Sequence, residues 1–133
     1  MSSYMAGEPP RPTDAELEIL TVLWSIGGPA TVRDVYNVLS RRRQAQYSTV
    51  LKFMQIMAEK GLVRRDETER AHIYEAARSR EWTRQQLAGD LLERAFNGSA
   101  KALLIGALSA RKATKEELTE MRKLLDGYRK GKK

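Results

Sequence analysis

Residues Gln46–Ala76 read QYSTVLKFMQIMAEKGLVRRDETERAHIYEA, and the folding of that stretch decides the architecture of the chain. Its first half places apolar side chains at Val50, Phe53, Met54 and Met57. That i, i+3, i+4, i+7 spacing predicts a helix with one buried stripe. Lys60-Gly61 should end it, because a cation suits the negative end of the helix dipole and glycine is free to take the positive φ of a helix terminus. Leu62-Val63 then opens an extended run. Asp66–Arg70 is polar and turn-like, and Ala71–Ala76 carries the strand-favouring Ile73 and Tyr74. The stretch should therefore form a helix followed at once by a hairpin with a charged tip.

Upstream, Thr13-Asp-Ala-Glu16 fits a capping box, in which a hydroxyl and a carboxylate each accept from an orphan amide. Leu17, Leu20 and Trp24 follow on one face with Leu23 beside them, and Gly27-Gly28-Pro29 stops the helix. Thr31 begins a second helix with Val32, Val35, Tyr36 and Leu39 on its buried side, running out into Ser40-Arg41-Arg42-Arg43. After a short polar connection the helix of the central stretch begins, with Ser48 as its expected cap. Three short helices and a hairpin are the layout of a winged helix-turn-helix, assigned here to residues 13–78 behind a disordered lead-in at 1–12.

Downstream of Arg78 the pattern is helical only. Ser79–Asn97 carries Trp82, Leu87, Leu91, Leu92 and Phe96 and breaks at Asn97-Gly98. Ser99–Ala110 is short and strongly apolar, through Ala102, Leu103, Leu104, Ile105 and Leu108. Thr114-Lys-Glu-Glu117 is a further capping box, opening a last helix with Leu118, Met121, Leu124, Leu125 and Tyr128. These segments hold more apolar surface than they can hide on one another. Two chains are therefore expected to form a homodimer through residues 79–130, with Leu91, Leu92, Phe96, Leu103, Leu104, Leu108, Leu118, Met121, Leu124 and Leu125 at the interface. The other arrangement is a monomer with the tail folded over the head. The expected fold class is mainly α with a small β-hairpin wing, a winged helix-turn-helix head plus a C-terminal helical dimerisation tail.

The formal net charge of +7 favours a polyanionic partner. Its placement is more telling than its total. Between Arg41 and Arg65 stand Arg41, Arg42, Arg43, Lys52, Lys60, Arg64 and Arg65 against the single acid Glu59, so cations bracket the third helix. The basic run at Tyr128–Lys133 reads as a solvated tail. The absence of cysteine excludes disulfides, zinc-thiolate sites and thiol redox sensing, and permits the reducing cytoplasm expected as its location. No apolar run reaches the roughly 18 to 20 residues of a membrane span, and the N-terminus lacks the apolar centre of a secretion signal. His72 is the one histidine and has no acid at ligand spacing beside it, so it reads as a strand residue; neither metal nor cofactor is expected. Trp24, Trp82, Phe53 and Phe96 sit at apolar helix positions and read as packing. There is no Gly-rich phosphate loop, nucleophile elbow or His/acid constellation, so an enzyme is not expected.

The third helix offers Ser48, Thr49, Lys52 and Gln55 away from its apolar stripe. Ser48 and Thr49 lie near its start, where the dipole and free amides favour phosphate. Lys52 can donate to guanine O6 and N7, and Gln55 can pair with adenine N6 and N7. These four are the expected readers of double-stranded DNA. Arg41, Arg42, Arg43 and Tyr47 are expected on its phosphates, which sets register without reading sequence. Arg64 and Arg65 open the hairpin, and alternation should send one of them outward; Arg64 is assigned to the backbone. Arg70, beside Glu67 and Glu69 near the wing tip, should reach the backbone or the minor groove.

The series Glu18-Ile-Leu…Leu-Trp24, Thr31…Val35…Leu39, Ser48-Thr-Val…Met57…Lys60-Gly61-Leu62-Val63 and Arg70-Ala…Tyr74 resembles the penicillinase repressor family over residues 13–130. That family includes methicillin-resistance and copper-responsive repressors. The resemblance implies a winged-helix head, a dimerising tail and a transcriptional repressor on a short inverted-repeat operator over a promoter. Where the family often carries arginine, this chain has Leu51 and Ile56. Some members are released when a β-lactam-sensing membrane protease cuts an Asn-Phe bond in the tail. The matching region here is Leu104-Ile-Gly-Ala107, which lacks that pair, so the resemblance offers such a protease as a partner that this tail does not match. Copper control through C-terminal cysteines is excluded. Two other readings stay open: a winged-helix protein-interaction module with Leu51 and Ile56 against a protein, and a repressor with a small-molecule pocket between head and tail.

Overall fold

The computed structural model describes residues 11–68 and 70–131. The expected lead-in up to residue 10, Glu69 of the wing and the terminal Lys132 and Lys133 lie outside the described residues. The elements run α1 (Asp14–Ile26), α2 (Val32–Arg42), α3 (Tyr47–Lys60), β1 (Val63–Asp66), β2 (Ile73–Ala76), α4 (Arg80–Phe96), α5 (Ala100–Ala110) and α6 (Lys115–Arg129). This is the expected mainly helical fold with a two-stranded wing. The chain falls into two compact units that part between Leu87 and Ala88.

In the first unit the helices begin where side chains can satisfy the leading amides. Thr13 Oγ1 accepts from the Glu16 amide at 3.2 Å while Glu16 Oε1 accepts from the Thr13 amide at 2.9 Å, completing the expected capping box. A second box, not anticipated, joins Thr31 and Asp34 at the head of α2. The head of α3 differs from expectation. Its cap is Gln46, extended at φ −113° and making no side-chain bond, so Ser48 is already inside the first turn and caps nothing. Both α1 and α3 stop on a left-handed glycine, Gly27 at φ 83° and Gly61 at φ 84°, where a Cβ would be strained.

The core of this unit is built by Ile19, Leu20, Val22 and Leu23 of α1, Val32, Val35 and Leu39 of α2, Val50, Met54 and Met57 of α3, and Leu62, Val63 and Tyr74. The α1 stripe is therefore turned from the expected Leu17–Leu20–Trp24 line. Leu17 and Trp24 are half-buried and Ile19 and Val22 are buried, because α1 packs against α2, α3 and β2 together. Phe53 likewise sits at the edge of its stripe, half-buried against the core.

The hairpin is antiparallel, pairing Val63 with Ala76 and Arg65 with Tyr74. Tyr74 points inward at 1% exposure, and its backbone exchanges both hydrogen bonds with Ala30, at 2.9 and 2.7 Å. The wing is thus tied to the loop between α1 and α2. Of the two arginines opening it, Arg64 has a side chain 65% exposed and Arg65 one at 29%.

The second unit is helical. Asn97 (φ 49°) and Gly98 (φ 78°) break α4 from α5, and Ser99 and Thr114 cap α5 and α6 by accepting from the Ala102 and Glu117 amides. Phe96 packs on Gly106, where a Cβ would stand 3.4 Å from the ring. No described residue from 88 onward is buried. Among the described residues no helix is long and apolar enough to cross a membrane.

Candidate nucleic-acid interface

With Val50, Met54 and Met57 turned into the core, α3 presents Ser48, Thr49, Lys52 and Gln55 to solvent. All four expected readers are exposed on the helix flank opposite its buried stripe. Ser48, Thr49 and Lys52 also line a shallow cleft with Phe53 and Ile56. The two apolar residues noted at family arginine positions part company here. Leu51 packs against the core, as does every apolar residue of α3 from Val50 to Ala58 except Ile56.

The expected phosphate contacts divide. Arg41 and Arg42 end α2 and are exposed, and among the described residues neither they nor Lys52 takes part in an ion pair. Arg43 is held by Glu18 at 2.7 Å. The Arg43 side chain is 56% and that of Glu18 32% exposed, so that bond contributes about 0–1 kcal/mol and a phosphate can displace it. The Tyr47 ring lies under the Arg33 guanidinium at 4.3 Å and edge-on to Tyr36 at 5.7 Å. Arg33 was missed by sequence reasoning. Its i, i+3 spacing to Tyr36 was visible, whereas Tyr47 joins them only when α2 and α3 meet.

In the wing, Arg64 turns back on the hairpin, donating to the Ala77 carbonyl at 3.1 Å with Glu75 at 3.8 Å. Arg65 pairs with Glu67 at 2.6 Å. The Asp66 carboxylate accepts from the Thr68 amide and hydroxyl at 2.9 and 2.8 Å, which orders the turn and holds that carboxyl below its ordinary 3.8. Arg70 is exposed near the tip.

One further pair braces α3 against α1. Glu16 is 2% exposed, and its Oε2 accepts from Lys60 Nζ at 2.7 Å, joining the start of α1 to the end of α3. Burial alone would push the Glu16 carboxyl up. Bonds from Lys60 and from the Thr13 amide outweigh it and hold the group below its ordinary 4.5.

Of the residues expected between two chains, Leu91, Leu104, Leu108, Leu118, Leu124 and Leu125 are exposed, while Leu92, Phe96, Leu103 and Met121 are half-buried. Leu104, Leu108, Leu118, Met121 and Leu125 share one apolar groove. Among the described residues no group of His, Asp and Glu is placed to hold a metal ion, and His72 is exposed.

Residues 12–127 match the family model described as penicillinase repressor. The "Transcriptional regulator BlaI" of Mycobacterium tuberculosis, found in two strains, is 38% identical over 93 residues, covering 69% of this chain and 67% of the relative.

Proposed function

The chain belongs to the penicillinase repressor family of transcriptional regulators, and from that premise we propose that it acts as a homodimer on an inverted-repeat DNA operator. Residues 13–78 are the DNA-binding domain and 79–130 the dimerisation domain. Helix α3 enters the major groove, and the two heads occupy grooves about one helical turn, ~34 Å, apart. The observation that carries this reading is the exposed flank of α3 with Ser48, Thr49, Lys52 and Gln55, together with the exposed Arg41 and Arg42, which take part in no ion pair among the described residues. Ser48 and Thr49 meet bases or phosphate near the helix start. Lys52 and Gln55 meet base edges, and Arg41, Arg42, Arg43, Tyr47 and Arg70 meet the backbone. Arg64, held by Ala77 and Glu75, contributes less than Arg42. A protease specific for an Asn-Phe bond has none to cut in this chain, and Leu104–Ala107 lies within α5.

Fluorescence anisotropy on duplexes enriched from a random pool, with light scattering of the complex, tests the proposal. Lys52→Ala and Gln55→Ala should each cost about 1–3 kcal/mol and relax base preference. Arg42→Ala should weaken all sequences alike and reduce the salt slope by about 1. Full affinity and an unchanged preferred sequence in Gln55→Ala would show that α3 is docked wrongly. A protein-interaction role for this face predicts association that barely responds to salt, in contrast to phosphate binding.

A further inference from the structure

We infer that Ile56 reads the 5-methyl group of thymine in the operator, from the apolar cleft it shares with Phe53 on α3. The inference rests on the proposed docking of α3 and adds to it a base contact that hydrogen bonding cannot supply. Every other apolar side chain of α3 between Val50 and Ala58 packs against the core; Ile56 alone does not. It lies four residues beyond Lys52 and seven beyond Thr49, so the three share one flank of the helix. Ser48, Thr49, Lys52, Phe53 and Ile56 together line the cleft, whose surface is mainly apolar although its rim is polar.

The occupant must match both features. In the major groove each base pair presents donors and acceptors, and the thymine methyl is the one apolar group among them. The charge on α3 and at the end of α2 selects DNA over an apolar protein surface. Lys52 stands on its rim, Arg41 and Arg42 are exposed and take part in no ion pair among the described residues, and Glu59 is the one acid on α3. Lys52 and Gln55 then read polar base edges while Ile56, on the same flank, covers a methyl.

The test exchanges thymine for deoxyuridine, one position at a time, in a duplex that the full-length protein enriches from a random pool. That exchange replaces CH3 by H and leaves O4 and the base pair intact. At one or more thymines, symmetric in the two half-sites, affinity should fall about fourfold, the partition value of one methyl group. The penalty should disappear in Ile56→Ala, persist in Ile56→Val, which keeps both γ-carbons and loses only the δ-methyl, and persist in Lys52→Ala. Ile56→Ala should melt with the parent chain, since the side chain lies outside the core. A duplex indifferent to uridine at every position overturns the inference, as does an undiminished uridine penalty in Ile56→Ala. If Gln55→Ala still relaxes preference in either case, the docking of α3 survives and the methyl reading alone falls. If no sequence is enriched at all, both fall together.

Discussion

Substituting Asp for Leu108 or Leu125 is expected to convert the dimer to monomer and to lower operator affinity by about 10²- to 10⁴-fold, the range that linking two binding modules contributes. Both residues are exposed, at 39% and 54%, and both line the groove between α5 and α6 with Leu104, Leu118 and Met121. A helix as uniformly apolar as α5 belongs inside a core, yet it has no buried residue here. In the proposed homodimer a second copy of the chain supplies the missing cover. A carboxylate placed in that cover has no cation on the groove wall except Arg122 and would be desolvated on association, so the interface rather than the fold of the head should fail. Light scattering together with anisotropy measures both consequences. A Leu108→Asp, Leu125→Asp double variant that remains dimeric with parental affinity would place the dimer contact elsewhere.

The second large effect concerns stability. Replacing Lys60 by Met should destabilise the head by about 2–3 kcal/mol, below the 3–5 typical of a fully buried broken pair because Lys60 is itself 32% exposed. Glu16→Gln should cost less, about 1 kcal/mol, since the amide oxygen still accepts from Thr13 and the freed ammonium can turn to water. The asymmetry follows from burial: one change strands a carboxylate at 2% exposure, the other leaves a half-solvated cation. The pH dependence has a definite sign. The folded Glu16 pKa lies below 4.5, so its contribution is present above the unfolded value and is lost as pH falls through the folded one. In Lys60→Met, burial acts with less opposition and the carboxyl should titrate at higher pH. The gap between parent and variant in urea midpoints should therefore be widest near neutrality and narrow below about pH 4. A gap that stays constant from pH 7 to 3 would mean that the cost is lost packing of the lysine stem and not a stranded charge.

The order of elements could be read before any coordinates because its causes are local. Thr13 with Glu16, the apolar spacing along α3, Lys60-Gly61 and the Ile73-Tyr74 pair each act within one turn of helix or a few strand residues. A winged helix follows from their succession, and the exposed flank carrying Lys52 and Gln55 follows from which face of α3 is apolar. The errors were local as well. Ser48 fits a cap by residue type, yet the chain turns into the helix two residues earlier, at Gln46. Leu17 and Trp24 fit a one-sided stripe, whereas α1 must pack against three neighbours at once.

Local pattern carries no information about which distant side chains will meet. Glu16 and Lys60 are 44 residues apart, Arg43 and Glu18 are 25 apart, and nothing in either neighbourhood names the other. Their pairing, the turning back of Arg64 and the stacking of Arg33 on Tyr47 arise when helices close on a shared core. The same closure separates Leu51 from Ile56, two aliphatic residues alike in sequence, by packing one against the core and leaving the other outside it. Periodicity shows that an apolar face exists; the width of that face is set by how many neighbours press on it.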